Sequence, residues 1–185
     1  MRIVGGTARG TALAGLGRGD AAAHLRPTAD RVRESLFNVL TQGRHGNLVS
    51  GARVLDLFAG TGALSLEALS RGAAHATLVE NGRAAQSLIR DNVARLRFGD
   101  RTRLLPVDAR RLPPAPAPAD LVFLDPPYGQ GLGAPALASA RAAGWIAPGA
   151  TVVWEESAPQ APPEGFAPMD ARRYGAAHVT LLQAS

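Results

Sequence analysis

The chain contains no cysteine and no lysine. Disulfides, thiolate nucleophiles and cysteine-bound metals are thereby excluded. The four histidines, His24, His45, His75 and His178, are far apart and share no metal-ligand spacing, so they read as structural residues and no metal is expected. Aromatic residues make up only 5% of the sequence. No apolar run approaches the roughly 18 residues that a membrane span needs. The opening residues, Met1 to Gly6, lack the apolar stretch of a signal peptide, which makes the cytoplasm the expected compartment.

What is present is arginine, and it is unevenly placed. The first 53 residues carry eight arginines against Asp20, Asp30 and Glu34, while the remainder carries twelve against twelve acids. The net charge of +5 therefore falls entirely in the N-terminal segment. A localised basic segment suits a polyanionic partner. A genome that simply prefers arginine codons accounts for the arginine content but less well for its clustering. With 185 residues, of which 46% are hydrophobic and 19% charged, the chain has the size and composition of a single globular core.

Turn-forming Gly5-Gly6 and Gly10 between Ile3-Val4 and Thr11 to Leu13 predict a short hairpin or arm, followed by a Gly/Ala-rich loop from Gly15 to His24. Thr28 then caps a helix whose apolar face is expected to hold Val32, Leu36, Val39 and Leu40, with Arg31, Glu34, Ser35 and Asn38 opposite. From Arg53 onward strands and helices alternate. Strands are expected at 54–58, 76–79, 102–107, 121–124 and 150–154, with a closing edge strand at 178–182; helices are expected at 63–71, 83–98 and 133–144. Prolines 113, 114, 116 and 118 stiffen the link before the fourth strand. Apolar strands alternating with helices imply a mostly parallel sheet covered on both faces, which binds its ligand at the carboxyl ends of the strands. Asp56, Glu80, Asp108 and Asp125 all fall at or just beyond those ends. Trp145 and Trp154 read as core residues.

Two motifs carry chemistry. The first is Asp56-Leu57-Phe58-Ala59-Gly60-Thr61-Gly62, a strand entering a glycine turn that lets backbone approach a ligand closely. Ser65 stands where a dinucleotide fingerprint has its third glycine, which disfavours a pyrophosphate site. Glu80, at the next strand end, is placed to accept hydrogen bonds from two ribose hydroxyls. The second motif, Asp125-Pro126-Pro127-Tyr128, follows the apolar fourth strand. Its prolines restrict the backbone and would aim the Asp125 carboxylate and the Pro126 carbonyl at one point. Two such acceptors match the two N–H donors of a base amino group, and Tyr128 would stack on the base. Orientation and electrostatics then suffice for transfer without a covalent nucleophile.

The glycine loop resembles the D-x-F-x-G-x-G loop of class I methyltransferases, and Asp125 to Tyr128 resembles the [DN]-P-P-[YF] signature of amino-group methyltransferases. Together with Arg2 to Gly6, Leu25 to Asn38, and Leu66 to Gly72, they resemble the bacterial 16S ribosomal RNA guanine-N2 methyltransferase family, the small-subunit ribosomal RNA methyltransferase D family, over nearly the whole chain. The resemblance implies a Rossmann-like class I fold with a seven-stranded, mostly parallel sheet, an N-terminal extension (1–45) and a catalytic domain (46–185). It implies S-adenosylmethionine as cofactor, leaving as S-adenosylhomocysteine. Asp56, Phe58, Ala59, Gly60, Thr61, Gly62, Glu80, Asn81, Asp108 and Ala109 would bind it, with Asp108 at the adenine amino group. It implies a guanine of 16S RNA, in an assembled or assembling small subunit, as target, and a monomeric enzyme with no membrane association. The extension would contact RNA and cover the cofactor, with Arg2, Arg9, Arg26, Arg31 and Arg33 as phosphate contacts. Methylation of adenine N6, cytosine N4 or protein glutamine, and a non-catalytic cofactor- or RNA-binding module, are the competing readings.

Overall fold

The computed structural model describes residues 1–15 and 30–185. Arg26, the Thr28 cap and most of the Gly/Ala-rich loop lie outside them. In chain order the elements are α1 (Asp30–Gln42), β1 (Arg53–Leu57), α2 (Ala63–Ser70), β2 (His75–Val79), α3 (Arg83–Leu96), a 3-10 turn (Gly99–Arg101), β3 (Thr102–Leu105), β4 (Ala119–Leu124), α4 (Gly133–Ala142), β5 (Ile146–Glu156), β6 (Phe166–Tyr174) and β7 (Ala177–Ala184). They build one seven-stranded sheet in the order β3-β2-β1-β4-β5-β7-β6. The first five strands are parallel, and β7 runs antiparallel to both β5 and β6.

Alternation along the central strands feeds two cores. On one face Val54, Leu121 and Phe123 join Ile3 of the arm, Phe37 of α1, Leu66 of α2 and Ile89 of α3. On the other, Leu55, Leu57, Val122 and Leu124 meet Leu137 and Ala140 of α4, together with Trp145 and Trp154. The proline stretch makes no helix. It is tied down instead by the Trp145 indole, which donates to the Pro113 carbonyl at 2.7 Å, and by the Ala115 amide, which donates to Ala143 at 2.8 Å.

The arm is a narrow loop closed by the Arg2–Ala12 bridge. It is seated on α2 by Glu67, whose buried carboxylate accepts the Val4 and Gly5 amides at 2.9 and 2.8 Å and pairs with Arg71 at 2.7 Å and Arg33 at 3.6 Å. The buried amide of Asn92 on α3 holds the far end of the arm: it accepts from Ala14 N–H at 2.7 Å and donates to the carbonyls of Ala14 and Thr61.

Three expectations change. The 178–182 segment does not close the sheet: β7 is interior, and the edge strand is β6, whose sequence FAPMDARRY carries a proline, an aspartate and two arginines. Such polar, proline-bearing edges resist pairing with other chains but hide the strand from hydrophobic patterning. The third strand stops at Leu105, leaving Asp108 in the following loop rather than at a strand tip. Arg33 is fully buried instead of facing a polyanion, because the inward face of α1 is Arg33-Leu36-Phe37-Leu40. Its guanidinium bonds to Asp30 and to the Arg2 carbonyl.

Candidate active site

The sheet order reverses between β1 and β4, the place where parallel sheets open a ligand crevice. The glycine loop leaves β1 there, and the Asp-Pro-Pro-Tyr turn leaves β4 beside it; the register pairs Leu57 with Leu124, and the Asp125 amide reaches the Leu57 carbonyl at 3.4 Å.

The loop reverses sharply. Phe58, Gly60 and Gly62 have φ of 66°, 57° and 80°. A non-glycine residue held at positive φ is uncommon and marks a site where surrounding contacts enforce the backbone. Gly62 has a steric reason as well, since a Cβ there would meet Leu78 Cδ2 at 2.9 Å. Glu80 staples the loop to the tip of β2: its carboxylate accepts the Gly60 amide at 2.9 Å and the Gly82 amide at 2.7 Å. Each carboxylate oxygen keeps acceptor capacity beyond one such bond. Asn81 beside it is exposed, and Ala109 is buried. Asp108 forms a two-pronged pair with Arg110 that holds its carboxyl below the usual range.

Asp56 is buried under the loop. Its Oδ2 accepts from the Ser65 hydroxyl at 2.7 Å, while Oδ1 has no hydrogen-bond partner among the described residues. Burial pushes its pKa up to about 7, Ser65 opposes the rise, and Glu80 adds to it. Asp125 is raised well above the ordinary carboxylate range, first by desolvation and then by Glu155, Asp56 and Glu156. Part of its surface nevertheless opens to the crevice. Among the described residues, every charged group acting on it is another carboxylate.

Pro126 is buried, and Pro127 and Tyr128 are half-buried. The Tyr128 hydroxyl donates to Glu155 Oε1 at 2.6 Å, and the Gly129 amide donates to Glu156 Oε1 at 3.1 Å. Burial and the Glu155 carboxylate push the phenol pKa upward, so Tyr128 stays a hydrogen-bond donor. The tip of β5 thus clamps the turn. Sequence reading passed over Glu155 and Glu156, although the Trp154-Glu155-Glu156 ending of an apolar strand is the same strand-tip signal that singled out Glu80 and Asp125. It also passed over Asn92, a polar residue on the inner side of an amphipathic helix.

The structure therefore brings together the glycine loop, Asp56, Glu80 and Asp125 to Tyr128, and sets Asp108 apart in an ion pair. Of the arginines assigned to the extension, Arg2, Arg9 and Arg31 are exposed, Arg2 being also 3.6 Å from Asp30, whereas Arg33 is enclosed.

Residues 1–183 match the family described as conserved hypothetical protein 95. The Escherichia coli (strain K12) protein named ribosomal RNA small subunit methyltransferase D is 40% identical over 156 residues, covering 84% of this chain and 74% of that protein. Its namesake in Haemophilus influenzae is 31% identical over 189 residues, covering 99% and 93%. The solved structure of Escherichia coli yhhF superimposes with a TM-score of 0.82 at 36% identity, covering 100% of this chain and 97% of that one. Fold, crevice and sequence agree: this chain has the Rossmann-like class I methyltransferase fold and belongs to the small-subunit ribosomal RNA methyltransferase D family.

Proposed function

We propose that the protein is a monomeric, S-adenosylmethionine-dependent enzyme that methylates the exocyclic N2 amine of a guanine in 16S ribosomal RNA, within the assembled or assembling small subunit. The observation that carries this reading is the Asp125 carboxylate, held in the Pro-Pro turn beside the glycine loop and, among the described residues, acted on by carboxylates alone. The names of the relatives support the RNA class.

The donor set fits the cofactor. A sulfonium and an ammonium group are both cationic, and Glu80 and Asp125 stand at the strand tips with Asp56 buried beneath the loop, its Oδ1 unpartnered among the described residues. Glu80 would take the ribose hydroxyls; the Phe58 to Gly62 backbone, Asn81 and Ala109 would line the rest, and Asp108 would serve the adenine only if released from Arg110. When bound, the cofactor supplies an electrophilic methyl group. Asp125 and the Pro126 carbonyl hold the two N2 hydrogens, which keeps the nitrogen lone pair directed at that methyl. Forming the N2–C bond would break the methyl–sulfur bond, its electron pair staying on the sulfur of S-adenosylhomocysteine, while one N2 proton would pass to Asp125 and leave a secondary amine. Tyr128 stacks on the base, which has left its helix at a cost of a few kcal/mol. Arg2, Arg9, Arg26 and Arg31 bind phosphate groups around it.

The test is mass-spectrometric mapping of modified nucleosides in 16S RNA from cells with and without the gene, followed by incubation of the unmodified subunits with purified protein and labelled cofactor. N2-methylguanosine at one site is the expected result. Label on adenine or cytosine, or on protein alone, overturns the guanine assignment; absence of transfer to any of them overturns the enzymatic reading.

A further inference from the structure

Glu155 is a buried carboxylate that the mechanism above does not use. It lies one residue beyond the Leu124–Trp154 pair of the parallel β4–β5 ladder, so it faces Asp125 across neighbouring strand tips. One oxygen accepts the Tyr128 hydroxyl at 2.6 Å, and no second hydrogen bond to its carboxylate is present among the described residues. Glu156, by contrast, is engaged by the Gly129 amide and by the amide and hydroxyl of Ser157. Those bonds all fall on Glu156 Oε1, and Glu156 stands one register position further along the strand; Glu155 is the carboxylate directly across from Asp125, it keeps acceptor capacity, and the Tyr128 bond fixes where it points.

The amino-bearing bases differ on the edge next to the amine. In guanine, N1–H adjoins the N2 amine, so the edge is a row of donors. In adenine and cytosine the ring nitrogen beside the amine is an unprotonated acceptor. An ionised carboxylate only accepts. Set beside Asp125, it would bond guanine and would meet a lone pair in the other two. A site built for a hydrogen bond strongly rejects an analogue that leaves its buried polar group unpaired. We propose that Glu155 is the specificity-determining residue of this crevice, its carboxylate accepting N1–H of the target guanine while Asp125 and Pro126 hold the amine. This rests on the guanine reading given above.

The test replaces the mapped target guanine by 2-aminopurine in reconstituted small subunits. 2-Aminopurine keeps the 2-amino group but carries an unprotonated N1. Wild-type protein, Glu155→Gln and Glu155→Ala are compared on both substrates, by single-turnover rate and, in the presence of S-adenosylhomocysteine, by equilibrium binding. The binding arm reads out even where turnover is lost, and thermal melting checks folding. Because 2-aminopurine also lacks O6, the informative quantity is the change in guanine-to-2-aminopurine preference between proteins. Wild type is expected to favour guanine. Glu155→Gln, whose amide can donate to N1, is expected to shift that preference towards 2-aminopurine by tenfold or more, and Glu155→Ala to bring it close to parity. A preference unchanged in both variants overturns the role of Glu155 while leaving guanine methylation standing. Failure of the wild type to methylate guanine at all instead removes the reading on which it rests.

Discussion

Two groups of buried carboxylates lie on the same face of the sheet, one on α2 and one at the strand tips, and they are treated differently. Glu67 on α2 has no exposed side chain, yet it meets two amides and two guanidinium groups. Its work is to seat the arm and α1. Asp56 and Asp125 are also enclosed, but among the described residues Ser65 supplies the one side-chain hydrogen bond between them and their charged neighbours are acids. Burying a charge with partners builds structure; burying one without partners costs stability and is retained where a ligand supplies the missing partner. The contrast separates scaffold from site without reference to any sequence motif.

The largest effect expected from breaking the contrast is at Asp125. Asp125→Ala should lower the methylation rate by about 10²- to 10³-fold, the usual loss when an oriented electrostatic contact to a reacting group is removed, while thermal stability holds or rises. Radiolabel transfer and melting of the same preparation check both halves. Glu67→Ala should do the reverse in kind: about 3–5 kcal/mol of stability should be lost, because Arg71 loses its carboxylate, Arg33 one of its two, and the Val4 and Gly5 amides their acceptor, as measured by urea unfolding.

Asp56 sharpens the comparison through pH. Its folded pKa of about 7 lies above the ordinary carboxylate range of an unfolded chain, so between the two the folded state binds more protons than the unfolded state does. The stability contributed by holding that proton is complete at low pH and is lost as pH rises towards and through about 7. Asp56→Asn should flatten this decline, seen as a smaller drop in melting temperature from pH 5 to pH 8. The smallest effects belong to the exposed arginines. Arg9→Ala or Arg31→Ala should each reduce the slope of log binding constant against log salt by about one for RNA, with little change in cofactor affinity. An unchanged slope would remove phosphate contact from that residue.

The site was legible in the sequence where its logic is local. A glycine turn after an apolar strand, an acid ending the next strand, and a Pro-Pro turn after another each declare themselves within a few residues. Glu155 did not, because its meaning depends on the β4–β5 register that sets it across from Asp125. Arg33 misled for a different reason. The expected apolar face of α1 included Val32 and Val39, but the buried face is 33, 36, 37 and 40, rotated so that an arginine occupies its first position. Asp30 on the same helix, the Arg2 carbonyl and Glu67, 34 residues later, together make that burial tolerable. The β6 edge escaped because an edge strand can be polar, and Asp108 was placed one loop too early because β3 is shorter than its apolar run suggests.

The most direct measurement is a crystal structure of the protein with S-adenosylhomocysteine. The expected result has the ribose hydroxyls on Glu80, the nucleoside lying along the Phe58 to Gly62 loop, and the sulfur facing the space in front of Asp125 and Pro126. A nucleoside seated elsewhere, or a sulfur turned away from the Asp125 turn, would contradict the claim that these unpaired acids exist to receive a cationic donor and the amine it methylates.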